Sequence, residues 1–119
     1  MHNLIDYINF DIKPLKSSQT IADAKDLFLE IPYSHFPVNE NNIYIGCISN
    51  EDASSINEDT LIGENKFNFE RFFVRDSMIW LDVLEEFGKN DCNIMPVLNE
   101  KNNYIGYYEL DDVIKFFQE

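Results

Sequence analysis

Few side chains in this sequence are spaced to do covalent chemistry. Histidine occurs only as His2 and His35. No Ser/His/Asp set, phosphate-binding loop or dinucleotide glycine pattern accompanies them, since Gly46, Gly63, Gly88 and Gly106 lie far apart. Acidic neighbours such as Glu51-Asp52 and Asp111-Asp112 could suggest acid–base or metal chemistry. Adjacent residues on a helix do not face one another, however, and 22 acidic residues make such pairs inevitable. Cys47 and Cys92 lack C-x-x-C spacing, so both are expected as buried, reduced hydrophobes rather than zinc ligands. His35 is expected as a packed strand histidine. No catalytic residue and no metal site is expected, and the chain reads as a non-enzyme.

The pattern that remains is Gly46-Cys47-Ile48-Ser49-Asn50-Glu51-Asp52. Ser49-x-x-Asp52 places a hydroxyl and a carboxylate at a helix start, which serves as an N-cap. A related run, Gly106-Tyr107-Tyr108-Glu109-Leu110-Asp111-Asp112, keeps the glycine and the aspartate but has a carboxylate where the first has the hydroxyl.

These two runs belong to a longer repeat. Pro37-Val38-Asn39-Glu40 through Tyr44-Ile45-Gly46 matches Pro96-Val97 through Tyr104-Ile105-Gly106, with Leu98 taken as one inserted residue. Upstream, Asp23, Ala24 and Phe28 match Asp82, Val83 and Phe87. Helical spacing of Ile21, Ala24, Leu27, Phe28 and Ile31 predicts a helix capped by Thr20, and Ile79, Trp80, Val83, Leu84 and Phe87 predict its counterpart. Ser77 is the expected cap of the second helix and Gly88 its stop. Strands His35–Val38 and Tyr44–Ser49, then Ile94–Leu98 and Tyr104–Glu109, read as hairpins around Asn-rich turns. Short helices 50–57 and 110–118 close each copy. Ser54–Lys66 reads as a polar linker, and Phe67, Phe69, Phe72, Phe73 and Val74 as a core strand entering the second copy, as Ile12–Leu15 enters the first. The organisation expected is an N-terminal helical segment 1–10, a first repeat 11–57, and a linker with second repeat 58–119.

Composition limits the partners. With 22 acidic against 9 basic residues the net charge is −13, which repels phosphate backbones and disfavours nucleic acid. The apolar runs are too short to span a membrane, and the start lacks a basic n-region, so a cytoplasmic protein is expected.

The strand–helix–hairpin–helix unit, its duplication, the Gly-x-hydrophobic-Ser/Thr-x-x-Asp pattern and the prolines Pro37 and Pro96 together resemble a tandem pair of CBS domains. The resemblance implies an α/β (α+β) fold of two β-α-β-β-α repeats packed about a pseudo-twofold axis, with clefts for adenosine-type ligands. It implies that Asp52 takes ribose hydroxyls, that Ser49 takes phosphate, and that His35, Phe36 and Pro37 flank the base. In the second cleft Asp112 would take ribose beside Ile94, Met95 and Pro96, with Glu109 repelling an anion. Lys13 with Lys16, and Arg71 with Arg75, would stand near the clefts and offset the acidic field.

Three roles follow. The first is a regulatory module sensing AMP, ADP, ATP or adenosine, with no covalent cofactor. The second is a ligand-free interaction module, a homodimer through faces carrying Trp80, Phe87, Phe116 and Phe117. The third is divalent-cation binding by the carboxylates. In each, a further domain or partner protein is expected as the regulated element.

Overall fold

A computed structural model describes residues 3–118; His2 lies outside them. The chain divides into two compact units. The first is Pro14–Arg71, and the second joins Phe72–Glu119 to Met1–Lys13. Each contains one three-stranded sheet and two helices in the order β-α-β-β-α.

The first unit runs β1 (Leu15–Lys16), α1 (Ile21–Glu30), β2 (His35–Glu40), β3 (Ile43–Ser49) and α2 (Asn50–Ser55). β1 lies parallel to β2, and β2 antiparallel to β3. α1 begins where expected: Thr20 Oγ1 accepts from Asp23 N, and the Asp23 carboxylate accepts from Thr20 N. Its buried face is Ile21, Ala24 and Phe28, and Phe28 packs against the wholly buried Phe36. The hairpin turns on Asn41 and Asn42, both left-handed (φ 51° and 65°), a conformation asparagine tolerates better than most residues.

The second unit repeats the plan with β4 (Val74–Arg75), α3 (Trp80–Asn90), β5 (Ile94–Leu98), β6 (Tyr104–Glu109) and α4 (Leu110–Gln118). Its core comprises Val74, Val83, Phe87, Ile94, Met95, Val97, Tyr107, Tyr108 and Val113.

Several expectations need correction. The entering strands are two residues long, β1 and β4. Phe67 sits instead on a 3-10 segment, Ile62–Asn68, and is 92% exposed, while Phe69 and Phe72 are buried. The stretch read as a linker packs on the first unit: Ile62 is fully buried and its N–H donates to Gln19 O. α3 is not capped by Ser77: residues 75–78 form a turn in which Met78 N–H donates to Arg75 O, and the cap position falls to the extended Ile79. Gly88 does not stop that helix; Asp91, left-handed at φ 48°, does. The inserted residue is not Leu98. Both hairpins bulge at the same step, Val38/Asn39 and Val97/Leu98, so Leu98 matches Asn39. The extra residue lies in the turn 99–103, where Asn99 Oδ1 accepts from Lys101 N and Asn103 N.

One further strand pairing closes each unit. Glu70 bridges Cys47 in the first, and Asn9 bridges Tyr107 in the second. This crossing explains the motif glycines, both in a backbone region closed to L side chains (Gly46 φ 134°, Gly106 φ 155°). A Cβ on Gly46 would stand 3.0 Å from Phe69 Cβ, and one on Gly106 2.5 Å from Asn9 O.

Candidate functional site

In the first unit the β2–β3 register sets His35 opposite Ser49 and Pro37 opposite Cys47. Alternation along a strand puts these four side chains on one face and Phe36, Val38 and Ile48 on the other. Ser49 ends β3 and caps α2, its Oγ accepting from Asp52 N at 3.0 Å. The hydroxyl hydrogen and the Asp52 carboxylate find no partner among the described residues. Both side chains are half-buried. The result is an acceptor carboxylate and a donor hydroxyl side by side at a helix start.

His35 is buried and engaged. Its Nε2 stands 2.6 Å from Glu70 Oε2, and its Nδ1 stands 2.8 Å from Ser34 Oγ. The carboxylate therefore fixes the ring's orientation through a short, charge-assisted contact. Neither Ser34 nor Glu70 was singled out in the sequence. Glu70 carries no motif, and only its equivalence to Asn9 in the repeat could have marked it.

Two expected members fall elsewhere. Phe36 is wholly buried against the Phe28 ring at 4.6 Å and the Tyr33 ring at 5.9 Å, so it packs under α1. Lys16 is exposed on β1 opposite Asn39, four residues along β2 from His35, which is roughly 13 Å of strand. The structure thus brings together Ser49, Asp52, His35 and Pro37, but not Phe36 or Lys16. A shallow depression of about 350 Å³ also exists on this unit, lined by Lys25, Phe28, Leu29, Asn50 and Ser54. It contains none of those four.

In the second unit Asp112 occupies the position of Asp52, but its Oδ2 accepts from Asn9 Nδ2 at 3.4 Å. Ile94, Met95 and Pro96 are all buried in β5. Arg75 is committed too, donating Nη1–H to Asn99 O at 2.7 Å and lying 5.0 Å from the Phe73 ring centroid. Tyr108 is wholly buried with its hydroxyl unpartnered among the described residues, and burial, reinforced by Asp76, pushes its phenol up to about 12.

Cys47 and Cys92 are buried, as expected, and Cys47 Sγ lies 3.4 Å from the Tyr44 hydroxyl. Among the described residues no group of three or more His, Cys, Asp or Glu is placed to hold a metal ion. Nor is any helix long and apolar enough to cross a membrane. Of the four aromatics expected at an interaction face, Phe87 is core and Phe116 packs edge-on against Tyr7 at 5.8 Å. Trp80 and Phe117 stack at 4.8 Å, and Phe117 is 60% exposed.

A family model described as CBS domain matches residues 5–63 and again 70–119. No curated protein matches the sequence. Among solved structures the chain is similar to a CBS domain pair/ACT domain protein from Thermotoga maritima, at TM-score 0.86 and 18% identity, covering 98% of this chain and 97% of that one. It is similar to the CBS domains of a transcriptional regulator from Streptococcus pneumoniae, at TM-score 0.82 and 21% identity, covering 97% and 98%. It is also similar to CBSX2 in complex with AMP, at TM-score 0.78 and 18% identity, covering 99% and 97%.

Proposed function

The chain belongs to the CBS domain family, and from that premise we propose that it is a non-catalytic regulatory module whose first copy binds an adenosine-type ligand. The observation that carries this reading is the open Asp52 carboxylate beside the capping Ser49. A carboxylate accepts hydrogen bonds from both hydroxyls of a cis-diol, as ribose presents them. A serine hydroxyl whose oxygen already accepts a backbone N–H has its hydrogen left to donate to a phosphate. His35, oriented by Glu70, and Pro37 lie on the same face of the sheet as Ser49, both of them buried. A similar fold has been solved with AMP, which supports the ligand class.

Calorimetry with AMP, ADP, ATP and adenosine tests the reading. Binding to the wild type should weaken about 10- to 100-fold in Asp52→Ala, since an acceptor for a charge-assisted hydrogen bond contributes roughly 1.5–3 kcal/mol. No binding to the wild type at millimolar ligand would sink the proposal.

A second reading, self-association as a homodimer, draws on a different feature. Ile79, Leu81, Ile114 and Phe117 of the second unit are exposed around the Trp80–Phe117 stack. Sedimentation showing a monomer at high protein concentration would count against it.

A further inference from the structure

The two copies differ at the residue that crosses over the motif. In the second unit the segment before β1 is fastened along its length. Asn9 exchanges backbone hydrogen bonds with Tyr107 at 2.8 and 3.0 Å. The Tyr107 hydroxyl bonds Asp11 Oδ1 at 2.6 Å, and the Tyr104 hydroxyl donates to Ile12 O at 3.2 Å. Gly106 lets this backbone lie directly on β6. From that fixed position Asn9 Nδ2 reaches both Asp112 Oδ2 and Tyr7 O at 3.4 Å.

In the first unit the same crossing is made by Glu70 over Cys47, with backbone bonds of 2.7 and 3.0 Å. Glu70 carries no amide N–H on its side chain to offer Asp52, and it turns to His35. So, among the described residues, the motif aspartate has an amide donor in one copy and none in the other.

We infer that Asn9 is a built-in occupant of the second copy's site: its amide N–H holds Asp112 where a ligand's hydroxyl would, leaving the chain one open diol acceptor. A ligand at Asp112 must displace this donor, whereas a ligand at Asp52 meets no such donor among the described residues. The inference rests on the reading of the motif aspartate as a diol acceptor.

Adenosine, which carries no charge for Glu109 to repel, is the probe. It is titrated calorimetrically into the full chain as wild type, Asp52→Ala, Asn9→Ser and Asp52→Ala/Asn9→Ser. Serine keeps the backbone bridge but is too short to reach Asp112; Asn9→Ala serves as a second variant, and thermal melting confirms that each remains folded. At adenosine concentrations that saturate the wild type but stay below the weakened affinity of a site without its aspartate, the expected stoichiometries per chain are one, none, two and one. Adding Asp112→Ala to the double variant should abolish its binding. A double variant that binds no adenosine, or Asn9 variants that keep the wild-type stoichiometry, would overturn the inference. Failure of the first-copy proposal looks different: a wild type that binds nothing beside an Asn9→Ser chain that binds one adenosine through Asp112.

Discussion

Asp52 and Asp112 are the same side chain at the same step of the same motif, yet their surroundings give them different chemistry. Asp52 stands beside the capping Ser49 with no partner among the described residues, and Asp112 is tied to Asn9. The sequence showed the aspartates, the serine and its replacement by Glu109. It did not show Asn9 or Glu70, because they reach the motif from segments 103 and 35 residues away from their partners. A repeat is visible along the chain; which residue crosses over it is decided by tertiary pairing. Tyr108 permits a separate check at this scale. Its buried hydroxyl has no partner among the described residues, so Tyr108→Phe should leave stability unchanged or raise it by about 1 kcal/mol at neutral pH. The folded phenol titrates near 12 against 10.0 for the free group, so ionisation favours the unfolded chain. Stability should therefore fall as pH rises from 10 towards 12, by up to roughly 3 kcal/mol. Urea titrations across that range should show the loss attenuated in Tyr108→Phe; equal slopes would contradict the assignment.

At the scale of elements, the hairpins and four helices were legible because their periodicities are strong and their turns are rich in asparagine. β5, β6 and α4 fall on the expected residues, and α1 begins at the expected capping box. The entering segments were misread because a cluster of phenylalanines resembles a strand in any window. Only packing sends Phe69 and Phe72 inward and Phe67 to solvent. The glycines sort by the same physics. Gly106→Ala drives a Cβ to 2.5 Å from a backbone oxygen at positive φ and should cost roughly 3 kcal/mol or more. Gly46→Ala meets Phe69 Cβ at 3.0 Å and should cost less. Gly88 lies within α3 with open space around it, so Gly88→Ala should stabilise by up to about 1 kcal/mol. Chemical denaturation of the three variants checks the order.

At the scale of the molecule the net charge of −13 governs association more than folding. Two copies of this chain repel at long range, and Leu81, Ile114 and Phe117 are exposed. If the proposed self-association holds, it should strengthen as salt rises from low to physiological levels, and Phe117→Ser should abolish it; sedimentation at two ionic strengths reads both effects. Whether one chain holds one ligand or two is seen most directly by crystallography of the wild type grown with adenosine. The account predicts ligand density against Asp52 and Ser49, with Asn9 still bonded to Asp112. Ligand density against Asp112, with nothing bound at Asp52, would contradict it.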